Sequence, residues 1–458
     1  MRAPGVAQVF AAQWPILVAT LRRDLGDLDL AEDAAQEAFV EAAARWGPGT
    51  TPERPGAWLL TTARRRAIDR IRREQRFTQR LPALVEAAEG GHTPRPAGEL
   101  VDDQLALIFG CCHPALDPAS RVALTLREVC GLSTGQIAAG FLLSPATLGK
   151  RLVRAKAKIR TAGVPFAVPA REHLPARCAE VLRVIYLIFT EGHTSADGPA
   201  LVRGDLCDEA RWLAGLLAEL LDRLPAVVSP HLGGGTESGT GPGAGAGSAA
   251  GSGRGSITGS PGIDHERAVA LAETLGLQAL MLLSDARRAT RIDAHGGLVL
   301  LEDQDRTRWD RSLIAQGQAT LTRALAIGHI GAYQVEAAIA ALHATAPGWE
   351  QTDWRSIRGL YDQLRLLAPS DVVALNAAVA TSMLEGPEAG LAEIEAIRQR
   401  GALADYRYLH AARADLLRRI GRREQAAEAY RRALELTTNP AERRFLDDRL
   451  ASCTTPGP

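Results

Sequence analysis

Apolar residues recur at helical spacing along almost the whole chain. Trp58, Leu59, Ala63, Ala67, Ile68 and Ile71 mark one face of a long helix from about Pro55 to Arg76. Two helices are predicted before it over residues 6–46, the second running from Leu30 to Trp46. Asp29 is its expected N-cap, with Glu32 three residues on. Gly47-Pro48-Gly49, Pro52 and Pro55 break the pattern into a loop. Residues 80–100, with Pro82, Gly90, Gly91, Pro94 and Pro96, read as a linker. A compact helical segment follows from Asp102 to Gly163, and Pro165 to Pro175 marks a second boundary.

Within that segment Gly131 is placed to end a helix over Ala119–Cys130. Ser133 caps the next helix, and Gln136 completes a capping box. Phe141-Leu142-Leu143 makes a turn, and Ser144 caps a further helix. Pro145 takes the first position of that helix, where its missing N–H costs nothing. Ile137, Leu148 and Leu152 would pack the two helices together and leave Thr147, Lys150, Arg151 and Arg154 outward. This spacing predicts either a helix-turn-helix or an ordinary helical hairpin.

Beyond residue 175 one helix succeeds another. A Gly/Ser/Ala/Pro run over 233–262 interrupts the series; it cannot pack a core and reads as a coil inserted between helices of one array. Near the end, Ala411–Ile420 and Arg423–Leu436 form a helix pair around Gly421-Arg422. Ala426, Tyr430 and Ala433 give it the small-aromatic-small spacing of a tetratricopeptide-like pair, with Pro440 slightly late. Segments 318–345 and 372–400 match less well, so an irregular helical solenoid is expected.

Few aromatics and abundant Ala, Leu and Arg agree with an all-α fold. The chain balances 53 basic against 53 acidic residues. That balance hides a split: residues 1–168 hold 22 Lys+Arg against 17 Asp+Glu, and the remainder 31 against 36. The front is therefore the candidate for nucleic acid and the back for protein contacts. All three lysines lie at 150, 156 and 158, and with Arg151, Arg154 and Arg160 they form an acid-free basic cluster. Thr147, Lys150 and Arg151 are candidates for base contact, and Lys156, Lys158 and Arg160 for phosphate contact. A second segregation lies upstream. Asp24 to Glu41 holds seven acids and no base, whereas Arg64 to Arg80 holds eight arginines against Asp69 and Glu74. One helix suits a positive partner and the next a negative one, unless the two simply pair with each other.

No catalytic set emerges. Glu302, Asp303, Asp305 and Asp310 are interleaved with Arg306, Arg308 and Arg311 and read as a salt-bridged helix start. Glu191 and His193 have no implied pocket, and no phosphate-binding glycine loop is present. The six cysteines lack CxxC spacing and read as buried thiols, so no metal or cofactor is expected. No run reaches a membrane span of roughly 20 residues and no signal segment is seen, which points to a cytoplasmic protein.

Taken together, Ala31-Glu32-Asp33-Ala34-Ala35-Gln36-Glu37-Ala38-Phe39 and Ala57-Trp58-Leu59-Leu60-Thr61-Thr62-Ala63-Arg64-Arg65-Arg66-Ala67-Ile68-Asp69-Arg70-Ile71-Arg72-Arg73 resemble region two of an extracytoplasmic-function sigma factor of the sigma-70 family. Residues 131–160 resemble region four of that family. The part from about 175 resembles the tetratricopeptide-like extension of one sigma subgroup, through Leu187-Ile188-Phe189-Thr190-Glu191-Gly192, Leu300-Leu301-Glu302-Asp303-Gln304-Asp305-Arg306 and Leu409-His410-Ala411-Ala412-Arg413-Ala414-Asp415-Leu416-Leu417-Arg418-Arg419. The resemblance implies region two at 1–80, a linker at 81–100, region four at 101–164, and helical parts at 175–330 and 331–453.

It also implies partners: core RNA polymerase, through its β′ clamp and β flap, and promoter DNA. Asp29, Asp33, Gln36, Glu37 and Phe39 would dock on polymerase. Trp58, Arg64, Arg65, Arg66, Arg70, Arg72, Arg73 and Arg76 would engage the −10 region, Arg65 standing where many members carry Asn. Ser144, Thr147, Lys150, Arg151, Arg154, Lys156 and Lys158 would serve the −35 region. The extension would contact the sigma core, polymerase or a further regulator. A helix-turn-helix repressor and a helical scaffold are the rival readings. The acidic helix argues against the first, and the two basic helices argue against the second.

Overall fold

In the computed structural model, residues 6–46, 51–74, 97–141, 143–194, 201–224, 265–294 and 296–454 are described. The fold is all-α: 78% helical, with no strand among the described residues. Helices α1 (Val6–Leu25), α2 (Leu28–Arg45) and α3 (Pro55–Glu74) form the first bundle. The α2 helix starts earlier than its apolar pattern suggested. Asp27, not Asp29, has the extended backbone of an N-cap and accepts from the Leu30 N–H at 3.0 Å. Asp29 is already helical and sits in the first turn, where a carboxylate complements the helix dipole.

The second bundle holds α4 (Ala97–Cys111), α5 (Pro118–Leu124), α6 (Thr134–Gly140) and α7 (Pro145–Thr161). Asp117 caps α5, which runs on into a π turn over Thr125–Val129. Gly131 then adopts φ +74°, the left-handed conformation that suits glycine at a helix end. Most of the expected 80–100 linker lies outside the described residues, and α4 begins within its last part.

The extension continues through α8 (Leu174–His193), α9 (Gly204–Arg223), α10 (His265–Asp285), α11 (Arg311–Ala326), α12 (Ala332–Thr345) and α13 (Trp354–Leu367). It ends with α14 (Asp371–Glu385), α15 (Pro387–Gln399), α16 (Arg407–Arg419), α17 (Arg423–Glu435) and α18 (Pro440–Thr454). The glycine-rich run lies outside the described residues. The helices on either side of it, α9 and α10, pack together, and Arg267 donates to the carbonyls of Asp222 and Leu224. In the repeat-like pair, Ala426, Tyr430 and Ala433 are all buried.

One continuous hydrophobic core runs from Val9 in α1 to Ala337 in α12. Both bundles and the first half of the extension therefore share an interior, and a separate core holds Leu375 to Cys453. Helix α10 is the hub, packed by α8, α9, α11 and α12. With its continuation to Thr290 it is long and apolar enough to cross a membrane, contrary to the expectation that no run reaches that length. Most of that apolar surface is buried against other helices.

The acidic cluster at 302–310 also differs from expectation. Asp310 accepts from the Ser312 and Leu313 N–H groups as the cap of α11, and Asp305 accepts from Thr307. Glu302 reaches Arg419 at 3.4 Å rather than a neighbouring arginine. Unpaired N–H groups at a helix start compete successfully for short carboxylates. Cys111, Cys112, Cys178, Cys207 and Cys453 are buried free thiols, and Cys130 is partly buried.

Candidate nucleic-acid interface

The turn between α6 and α7 is fixed by its caps. Ser133 and Gln136 form the reciprocal capping box, and Ser144 accepts from the Thr147 N–H at 3.1 Å. Ile137, Leu148 and Leu152 are buried between the helices. Thr147, Lys150, Arg154 and Lys158 are exposed and Arg151 is half-buried. Their spacing of three, four, seven and eleven residues places them on one face. Among the described residues, Lys150, Arg154 and Lys158 form no ion pair. Val153, 66% exposed, lies beside this face and was not singled out from the sequence. An exposed apolar side chain next to a basic stripe was the available signal.

Lys156 points the other way. At about 100° per residue it lies on the side of Leu152 and Ile159, and it is only 8% exposed. It was expected at phosphate; its position on the helix turns it inward. Its ammonium is 3.0 Å from a Glu128 carboxylate oxygen, 3.1 Å from Asp29, and in direct contact with Glu32. Arg160 pairs with Asp29 at 2.5 Å, and the Arg127 Nε–H donates to Glu32 at 2.6 Å. Helix α7 is thereby clamped to the start of α2. Glu128 is fully excluded from solvent. Burial pushes its carboxyl up to about 8, against the pull of Lys156 and with Glu32 adding to the rise. Burial opposes ionisation of Glu32 too, yet Lys156 and Arg127 hold it below the usual carboxylate range. One ammonium thus stands against one ionised and one readily protonated carboxyl, which limits the cost of burying the group.

In the first bundle the arginine-rich α3 meets acids of both α1 and α2. Arg64 pairs with Asp24 at 2.7 Å, Arg66 with Glu41 at 2.7 Å and Arg70 with Asp33 at 2.6 Å. Arg65 and Arg72 are exposed. The side chains of Arg73 and Arg76 lie outside the described residues. Trp58 packs edge-on against Trp46 with ring centroids 5.1 Å apart. Beside it lies a hollow of about 630 Å³ lined by Glu53, Arg54, Trp58, Thr62, Arg65 and Arg66. The sequence named no residues for this hollow, although positions 58, 61, 62 and 65 share one helical stripe.

The outer face of α2 carries Asp33, Gln36, Glu37 and Val40. Gln36 donates to Glu32 at 2.6 Å, Glu37 is exposed, and Val40 is 71% exposed. Val40 was not anticipated. Phe39 was expected on this face and is instead 6% exposed in the core, with ring centroids 4.7 Å from Phe10 and 6.0 Å from Trp14. Aromatic partners from α1 supply more burial than an outward position offers.

Comparison with known proteins agrees with this layout. Sigma-70 region 2 matches residues 11–77 and Sigma-70, region 4 matches residues 106–159. A family of unknown function (DUF6596) matches 177–229 and 263–325, on either side of the glycine-rich run. An uncharacterized protein of Rhizobium meliloti (strain 1021) is 38% identical, covering 94% of this chain and 92% of that protein. The probable ECF RNA polymerase sigma factor SigI of Mycobacterium tuberculosis is 27% identical over 42% of this chain and 64% of its own length. The ECF RNA polymerase sigma factor SigK of Mycobacterium ulcerans (strain Agy99) is 30% identical over 30% of this chain and 72% of its own length. No solved structure matches the chain. With regions two and four in order, the chain belongs to the extracytoplasmic-function RNA polymerase sigma factors, which direct promoter-specific transcription, and it carries a long helical extension.

Proposed function

We propose that this sigma factor rests in a closed arrangement in which its promoter-reading helix is docked on its polymerase-binding helix, and that the two part when core polymerase and promoter are engaged. The observation that carries this is the burial of Lys156 among Asp29, Glu32 and Glu128. Asp29, Asp33, Gln36 and Glu37, with Val40 among them, form the surface for the β′ clamp. In the closed state Lys156 and Arg160 occupy Asp29. Thr147, Lys150, Arg151, Arg154 and Lys158 read the −35 element from the major groove, and region four meets the β flap. The hollow beside Trp58 receives an extruded −10 base, with Arg65 and Arg72 on the backbone. In the free protein Arg64, Arg66 and Arg70 are held by acids of the same bundle and serve chiefly to place α3. Its site of action is the cytoplasm, and it acts without catalysis.

The extension sets the placement of region four. Arg121 of α5 pairs with Glu180 of α8 at 2.5 Å, and Arg177 donates to the Phe109 carbonyl at 2.7 Å. Because one core runs through both sigma regions and the extension, cutting the chain near residue 170 exposes apolar surface on region four. Run-off transcription with core polymerase on the DNA upstream of the gene tests the reading. The full chain should give a discrete transcript, residues 1–169 should give little, and Glu180→Arg should shift the yield by about threefold or more. Equal yields from all three would remove the extension from the activity.

A further inference from the structure

The extension encloses a cavity of about 410 Å³, within the range of small-molecule sites. Its walls come from α8, α10, α12, α13 and the start of α14. Tyr186, Trp309 and Tyr361 supply aromatic surface. Two charged side chains also line it: Arg287, just past the end of α10, and Glu336 on α12.

Among the described residues Glu336 forms no hydrogen bond or ion pair, and Arg287 pairs with no carboxylate. The polar neighbour of Arg287 is the His193 Nε2, at 3.5 Å. Burial lowers Arg287 to about 9, with Arg291 adding to the shift, so it stays cationic near neutrality. Burial raises Glu336 to about 7, with Glu273 adding to the shift. Among the described residues no cation pairs with Glu336 and no anion with Arg287, although both line one cavity. Both side chains are half-buried, and unpaired charges that line one cavity concentrate at functional sites.

The two charges stand at different ends: Gly276 of α10 packs against Gln334 of α12, and Leu283 and Ala286 share a hydrophobic cluster with Ala344, which puts Arg287 at the His343 end of the pair and Glu336 toward the other. Glu336 and His343 are two turns apart on α12, about 10 Å along the axis. The His343 Nδ1 is buried without a hydrogen-bond partner, which leaves a further unused polar group at the Arg287 end. The cavity therefore offers a cation and an open ring nitrogen at one end, an acid at the other, and aromatic rings between.

We propose that this cavity binds a small zwitterion of dipeptide size, with its carboxylate at Arg287, its ammonium at Glu336, and its apolar part against Tyr186, Trp309 and Tyr361. An extended dipeptide places its termini roughly 7 Å apart, and the two charged side chains cover the rest of the span. A free α-amino acid is shorter than this span. The inference is independent of the promoter reading, because binding is read directly on the full-length protein.

The test screens the full chain against the complete set of dipeptides of the standard amino acids by thermal shift, followed by calorimetry. At least one should bind with Kd below about 1 mM. Its C-terminal amide and its N-acetyl form should each bind about tenfold more weakly or worse. Arg287→Met should abolish the preference for the free carboxylate, and Glu336→Gln the preference for the free amine. The capped ligands test both contacts on the native protein, so the result does not depend on either variant folding. Absence of binding by every dipeptide, or capped forms that bind as well as free ones, would overturn the proposal.

Discussion

The Lys156 ammonium lies 3.0 Å from the Glu128 carboxylate, and Glu128 has no solvent exposure. The lysine belongs to α7 and the glutamate to the π turn that precedes α6. Glu32, from α2, completes the contact, so one buried ammonium ties region four to region two.

Removing that ammonium should be costly. Lys156→Met leaves Arg127 as the one cation paired with Glu32 among the described residues, beside the Gln36 amide, and strips Glu128 of its countercharge. Breaking a buried pair from one side costs about 3 kcal/mol. Urea unfolding of the full chain should show a loss of this order. Lys158→Met, at an exposed position two residues on, should change stability by no more than about 0.5 kcal/mol. Equal stabilities for the two variants would contradict the buried contact.

The same cluster gives stability a pH dependence. Burial raises Glu128 from an ordinary 4.5 to about 8, so between those values the folded chain holds a proton that the unfolded chain has lost. Its contribution is complete below 4.5 and is lost as pH rises through about 8. Glu32 is shifted downward, so its contribution is present above its unfolded value and is lost only as pH falls below it. The stability of the native chain relative to Glu128→Gln should therefore decline from about pH 5 to pH 8, by up to about 1.4 kcal/mol per unit. The buried His193 and His343, held low, act in the opposite direction in both proteins and cancel from the difference. A difference that grows in favour of the native chain as pH rises over this range would show the sign to be wrong.

Gly131 joins the two sigma regions sterically. Its φ of +74° disfavours any side chain, and a Cβ there would lie 2.7 Å from Phe10 and 2.9 Å from Trp14 of α1. The Trp14 indole N–H also donates to the Glu128 carbonyl at 3.0 Å, which fixes α1 against the π turn. Gly131→Ala should cost about 2 kcal/mol in thermal or urea unfolding. An unchanged midpoint would mean that the α1 contact is loose.

DNA binding should separate from stability. Lys150 is exposed and Arg151 half-buried on the outward face of α7. Lys150→Ala with Arg151→Ala should weaken binding of the holoenzyme to promoter DNA by about 1–3 kcal/mol while leaving the unfolding midpoint nearly unchanged. Native promoter affinity in this double variant would take both residues out of the interface.

Much of this architecture is legible in the chain because the signals are local. Ser133 with Gln136, Ser144 before Pro145, and the left-handed Gly131 each act within a few residues, and each appears where the pattern places it. One misplacement is local and the other two come from partners distant in the chain. Asp29 looks like a cap until Asp27, two residues earlier, takes the Leu30 N–H. Phe39 looks like an outward residue on an acidic helix until Phe10 and Trp14 arrive from α1. Lys156 looks like one of six cations in a row, yet the carboxylate of Glu32 that holds it lies 124 residues away. Counting charge along a helix ignores which face each residue takes. Leu148, Leu152 and Ile159 had already marked the buried face, but nothing local supplies the partner.

The closed arrangement is most directly tested at Arg160, which pairs with Asp29 at 2.5 Å. A photo-crosslinking residue, introduced as Arg160→p-benzoylphenylalanine in the full chain, would report what faces that position. In the free protein it should crosslink to the peptide that carries residues 28–33. With core polymerase and promoter DNA bound, that crosslink should disappear and new ones to DNA or polymerase should form. An intramolecular crosslink of undiminished yield in the transcribing complex would contradict the opening of the two regions.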